Sequence, residues 1–420
     1  MISPRLTWEG TVIKKSTLTS VAIAAVFASL TPPALAQNGS QGWVTAWATS
    51  QQGLGETKIS NATARMIARV TIPGDSVRIR LDNTFGAAPV SFGRITVGPR
   101  IRGAALAAGM VKPVTFGGQS AVTIPAGATA ESDPVAIHVD AQQDIAVSLH
   151  ITGSNTQPSQ HNNAYVTSYL TGDGTGDQSA SEDGKAFTRT TTSMFWLKSI
   201  DVRPQTTATA IVAFGDSITD GTCTTVDAHE RWEDVLGQRL ALRRSADRAV
   251  INEGIGGNTV TGGANLNPAP ASPPGVDRLE RDVLSHPGVS HVVLFMGTND
   301  IGREAPADQV IAGTKDIIAR VKARGTKIIG ATIVPRHSIV PGVGNTGWND
   351  AKTKVRNQVN DWIRKGTDFD GVIDFDKVVR SASDPDLLTP AYNCGDGIHP
   401  SSIGYYQMGK SVDLGLFGLR

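Results

Sequence analysis

Ala210-Ile211-Val212-Ala213-Phe214-Gly215-Asp216-Ser217 sets five apolar residues in an unbroken run, then a glycine, an acid and a serine. A run with no polar alternation predicts a strand covered on both faces, as in a parallel sheet. The same grammar repeats downstream. Val292-Val293-Leu294-Phe295-Met296, Ile328 to Val334 and Gly371-Val372-Ile373-Asp374-Phe375 are further runs, and Val250–Asn252 is a shorter one. Helical patterns lie between them. Asp308 to Ala323 brings Val310, Ile311, Ile317, Ile318 and Val321 to one side, and Trp348 to Lys365 does so with Val355, Val359, Trp362 and Ile363. Strand and helix in alternation predict an α/β layer fold with right-handed crossovers over residues 205–420. Ligands of such sheets bind beyond the carboxyl ends of the strands, so residues that carry chemistry belong just after strand ends.

Upstream the period changes. Val77-Arg78-Ile79-Arg80-Leu81, Ala136-Ile137-His138-Val139-Asp140 and Ile145 to Ile151 alternate apolar with polar, and turn residues such as Asn83-Thr84-Phe85-Gly86 and Pro125-Ala126-Gly127 separate them. This spacing predicts an antiparallel β-sandwich over residues 37–204. Ahead of it, Lys14 and Lys15 precede an apolar stretch from Thr17 to Leu30, and Ala34-Leu35-Ala36 has the form of a cleavage site. Residues 1–36 therefore read as an export signal cut after Ala36, which predicts a secreted or periplasmic protein. The apolar stretch is too short for roughly 30 Å of hydrocarbon, and Pro32-Pro33 ends it, so no stable membrane anchor is expected.

Charge excludes other classes. Formal net charge is +1 over 420 residues, with no basic stripe for nucleic acid and no polybasic run for a membrane surface. The two cysteines, Cys223 and Cys394, lie in no C-x-x-C or Cys/His pattern, so no metal is expected.

Four short segments follow the strand runs. The first is Gly215-Asp216-Ser217, which taken alone is more often a plain turn. The second is Ile255-Gly256-Gly257-Asn258-Thr259, whose glycines let backbone N–H groups approach a developing negative charge. It fails the dinucleotide fingerprint, because Thr259 stands where the third glycine is required. The third is Gly297-Thr298-Asn299-Asp300, and the fourth is Asp396-Gly397-Ile398-His399, where a carboxylate three residues before an imidazole can fix its tautomer. Asp216 and Asp300 read as supports of their turns. Among the eight histidines, His337 also follows a strand end and is a candidate for lining the pocket.

Taken together and in this order, the segments resemble the SGNH hydrolases, or GDSL lipase/esterase family. Gly215, Asp216 and Ser217 match its first block, Gly257 its oxyanion glycine, Gly297, Asn299 and Asp300 its G-x-N-D, and Asp396 and His399 its D-x-x-H. The likeness covers about residues 208–416. Softer matches at Trp47 to Gln51, Asn83 to Gly86, Ile124 to Gly127 and Ser132 to Val135 resemble the β-domain that precedes this hydrolase in secreted bacterial members.

The resemblance implies a flavodoxin-like hydrolase sheet preceded by a jelly-roll-like sandwich. It implies a serine carboxylic-ester hydrolase with Ser217, Asp396 and His399 catalytic, an oxyanion hole of the Ser217 and Gly257 N–H groups and the Asn299 amide, an acyl-enzyme, and no cofactor. Expected substrates are small short-acyl or aryl esters. Acetylated glycan is the alternative, with Trp43, Trp47, Tyr165, Tyr169 and Trp196 as sugar-stacking candidates or core residues, and a non-catalytic binding protein is the other. If the site assembles, the loops bearing Cys223 and Cys394 converge, which predicts a Cys223–Cys394 disulfide in an exported chain. The competing expectation is two separate reduced thiols.

Overall fold

The structure, a computed structural model, describes residues 42–243, 247–338 and 347–419. The export signal read in residues 1–36 lies outside them. No helix of the described residues is long and apolar enough to cross a membrane.

Five strands pair in parallel: β1 (Thr209–Gly215), β2 (Arg248–Gly254), β3 (Val289–Phe295), β4 (Lys327–Ala331) and β5 (Gly371–Ile373), in the order β2-β1-β3-β4-β5. The order reverses at β1, so the crevice of the sheet opens beside the carboxyl end of that strand. Both faces are covered. Val212, Phe214, Val292 and Leu294 pack with Ile317, Val321 and Ile363 on one face, while Ile211, Ala213, Val293 and Phe295 pack with Trp232, Leu236, Tyr405 and Met408 on the other. Double coverage is why the strands read as unbroken apolar runs. The run at Ile328–Val334 outlasts β4 by three residues. There Asn360 replaces a strand partner, its side chain accepting from Ile333 N at 2.7 Å and donating to Ile333 O at 2.8 Å.

The preceding region is antiparallel. Val44–Ala48, Leu197–Val202, Gly74–Asp82 and Val135–Val139 form one sheet, and Ala62–Val70, Gln143–Ile151 and Val90–Arg102 centre another. Their inward residues, among them Val77, Ile79 and Ile200 from the first and Met66, Val97 and Val147 from the second, share one apolar core. Val135–Val139 shows the expected alternation, with Val135, Ile137 and Val139 buried and Ala136 and His138 exposed. A short sheet of Met194–Phe195, Ser159–His161 and Gly53–Leu54 carries His161. Of the aromatic candidates, Trp43 and Trp196 are buried. Trp196 lies edge-on to Phe92 with centroids 5.4 Å apart, Trp43 sits under Arg78 and Arg203, and Tyr165 sits under Arg231.

The antiparallel region and the parallel sheet meet over a polar seam. Thr45 N donates to Pro287 O at 3.1 Å, Val250 N to Thr71 Oγ1 at 3.1 Å, and Arg281 to Gln51 O at 2.9 Å. Lys198 lies 3.4 Å from both Asp82 and Asp282.

Candidate active site

All four segments converge at the carboxyl edge of the parallel sheet. Chain leaving β1 turns at once into the one-turn helix Ser217–Asp220. Asp216 caps it, its side chain accepting from Ile218 N at 3.0 Å. Burial raises the Asp216 carboxyl to about 6 against that hydrogen bond and the charges of His399 and Arg336. The cap sets Ser217 at the first helical position, its hydroxyl facing the C-terminal loop.

His399 arrives from that loop. Its Nε2 lies 2.8 Å from Ser217 Oγ and its Nδ1 lies 2.5 Å from Asp396 Oδ2. Asp396 Oδ1 also accepts the backbone N–H groups of Ile398 and His399, each at 2.8 Å. Burial alone raises the Asp396 carboxyl, but the hydrogen bonds from the His399 ring and backbone outweigh it and hold it at about 2. An ionised carboxylate only accepts, so Nδ1 carries the proton and Nε2 faces the serine as acceptor. A disulfide between Cys223 and Cys394 ties the two loops, with Cα atoms 6.2 Å apart. Tyr405 adds a second tie by donating to Thr222 O at 2.8 Å.

After β2, the two adjacent glycines differ. Gly256 N donates to Asp220 Oδ2 at 2.9 Å, whereas the Gly257 N–H has no hydrogen-bond partner among the described residues. Gly257 has φ +72°, a left-handed conformation that side chains disfavour. After β3, Asn299 donates one amide hydrogen to Asn258 O at 3.0 Å, and its second has no acceptor among the described residues. Asp300 clamps the glycine turn, accepting from Val260 N at 2.8 Å, Thr261 N at 3.0 Å and Thr261 Oγ1 at 3.1 Å. Burial raises Asp300 to about 6, against those donors. The Pro-rich stretch after the turn is held to it, since Asn258 donates to Pro273 O at 2.8 Å.

His337 pairs with Asp350, its Nε2 3.5 Å from Oδ1.

Three partners of the site carry no motif. Arg278 is almost fully buried and donates to Gly215 O at 2.9 Å, Glu253 O at 2.9 Å, Asn258 Oδ1 at 3.0 Å and Ser50 Oγ at 2.8 Å. One guanidinium thus joins the strand end before Ser217, the glycine turn and the antiparallel region. The one available signal was Arg278 and Asp282 four apart among Val276, Leu279 and Val283. Asp220 and His161 are the other two: His161 Nε2 lies 2.9 Å from Asp220 Oδ1.

The sequence model of the GDSL-like lipase/acylhydrolase family matches residues 213–407, a span that holds every one of these segments. Residues 213–407 are a GDSL-like lipase/acylhydrolase domain. Membership in the GDSL acylhydrolases implies ester hydrolysis as the class of activity. No curated protein matches the chain. Among solved structures, a carbohydrate acetylesterase family member from Sinorhizobium meliloti is similar at 18% identity, over 50% of this chain and 100% of its own, with TM-score 0.40. A GDSL-like lipase from Bacteroides thetaiotaomicron is similar at 20% identity, over 50% of this chain and 88% of its own, with TM-score 0.37.

Proposed function

We propose that the protein is an exported serine carboxylic-ester hydrolase working through an acyl-enzyme on short-acyl or aryl esters. The observation that carries this reading is the line of contacts from Ser217 Oγ to His399 Nε2, 2.8 Å, and from His399 Nδ1 to Asp396, 2.5 Å. Ser217 Oγ attacks the ester carbonyl as His399 Nε2 takes its proton. Asp396 holds the Nδ1–H and stabilises the imidazolium. The carbonyl oxygen becomes an anion and accepts from the Ser217 and Gly257 N–H groups and the remaining Asn299 amide hydrogen. Collapse breaks the C–O bond to the alcohol, which leaves with the proton from His399. Water, deprotonated by the same nitrogen, then releases the acid and restores Ser217. The disulfide and the leader-like pattern of residues 1–36 support export.

Ser217→Ala tests the reading. Hydrolysis of a short nitrophenyl ester should fall by about six decades in kcat, and labelling by a fluorophosphonate should vanish. A Ser217→Ala protein that turns over the ester at the wild-type rate would end it.

A further inference from the structure

We propose that His161, supplied by the antiparallel region, is a positioning residue for the oxyanion turn and acts through Asp220. The proposal rests on the reading of the Gly257 N–H as an oxyanion donor.

His161 ends the short strand Ser159–His161, where it pairs with Met194, and it is 1% exposed. Its Nδ1 lies 2.8 Å from Ser50 O and its Nε2 lies 2.9 Å from Asp220 Oδ1. A carbonyl and a carboxylate can only accept, so both ring nitrogens donate and the ring is an imidazolium. Burial opposes that charge, but the charge and hydrogen bond of Asp220, together with the Ser50 carbonyl, outweigh it and raise the ring above its ordinary value. Arg231 opposes the charge as well. Arg69, His229, Glu233 and Asp234 are the other ionisable groups around the small cavity beside the pair.

Asp220 is the last residue of the helix that begins with Ser217, and its N–H donates to Asp216 O at 2.8 Å. Its carboxylate therefore keeps a fixed place relative to the nucleophile. One oxygen takes the imidazolium, and the other takes the Gly256 N–H at 2.9 Å. The next amide along is Gly257. Approach here is close enough that a Cβ on Gly254 would lie 2.3 Å from Asp220 N. A chain of imidazolium, carboxylate and amide thus runs from the antiparallel region to Gly256, the residue next to the proposed oxyanion donor. Without the imidazolium, Asp220 loses its hydrogen-bonded cation and keeps only the charge of Arg231 nearby, so it turns toward other donors and the Gly256 amide loses its anchor.

The test compares His161→Ala, His161→Gln and Asp220→Asn with wild type on a short nitrophenyl ester, with rates expressed per site titrated by fluorophosphonate. We expect His161→Ala and Asp220→Asn to lose about 10- to 100-fold in kcat, with KM within about twofold of wild type, because a misplaced oxyanion donor is felt in the transition state. His161→Gln keeps one donor toward Asp220 and should fall between wild type and His161→Ala. If His161→Ala does not fold, the two volume-conserving variants decide. Wild-type kcat per site in them, or a loss lying in KM alone, overturns the proposal. A wild-type protein that the fluorophosphonate does not label would instead overturn the underlying hydrolase reading, so the two failures are told apart.

Discussion

Asn299 has two amide hydrogens and, among the described residues, one acceptor, Asn258 O. In the proposed reaction the second hydrogen meets the oxyanion, so Asn299→Ala should lower kcat by roughly two to three decades. KM should hardly move. A smaller loss, or one shared equally with KM, would remove Asn299 from the oxyanion hole. Its neighbour Asp300 makes a prediction about pH. Its carboxyl is raised to about 6 in the fold from 3.8. A group raised on folding contributes stability that is complete below its unfolded value and is lost as pH climbs through the folded one. Wild type should therefore give up on the order of 3 kcal/mol at this residue between pH 4 and 7. Asp300→Asn lacks the titration. The margin in Tm of wild type over Asp300→Asn should be widest near pH 4 and narrow toward pH 7, and a margin constant across that range would refute the assignment. Asp396 has the opposite sign: held at about 2, its contribution is complete above 3.8 and goes only as pH falls through the folded value.

The one-turn helix Ser217–Asp220 is the element on which the site is assembled, and β2 passes directly beneath it. Gly254→Ala would bring a methyl to 2.3 Å from Asp220 N and 2.7 Å from Asp220 Cα, both backbone atoms that cannot swing aside. The helix must move, and Ser217 with it. A shift near 1 Å should cost about 100-fold in kcat, while the circular dichroism spectrum stays native. An unaltered kcat would mean that the helix is free to adjust.

How legible these elements were depended on what covers them. The strands β1, β3 and β4 announce themselves because helices or loops hide both faces. Val135–Val139 does so because one face is wet. Ala62–Val70 does neither: Arg65 lies wholly buried, bonded to Ser148 Oγ at 2.8 Å and to Ser181 O at 2.7 Å. Its burial comes from a loop more than a hundred residues away, which no local period can report. The candidate site divides the same way. Ser217, Gly257 and Asn299 sit in short motifs just past strand ends, while Asp396 and His399 sit in a short motif on the loop between Pro390–Tyr392 and the helix Ser402–Ser411, not at a strand end as expected. Arg278 and His161 are single residues whose meaning comes from partners far along the chain, such as Gly215 and Asp220.

At the scale of the whole molecule, Ser217 and His399 stand 182 residues apart, and the disulfide spans 171 of them. Closing a loop of that length should stabilise the fold by about 5 kcal/mol in the chain-entropy description. The paired substitution Cys223→Ser with Cys394→Ser should lower Tm and also kcat, since Cys394 N donates to His399 O at 3.1 Å and shares the loop that carries the base. Unchanged kcat below the new melting point would assign the bond to stability alone.

The same bond makes residues 223–394 a covalent ring that contains β2, β3, β4 and β5, with Ser217 just before its clasp and His399 just after it. A protease that nicks the backbone once inside that ring cannot part the serine from the histidine. The nicked chain should run as one band without reductant. With reductant it should split in two, Ser217 leaving on the amino-terminal fragment and His399 on the other.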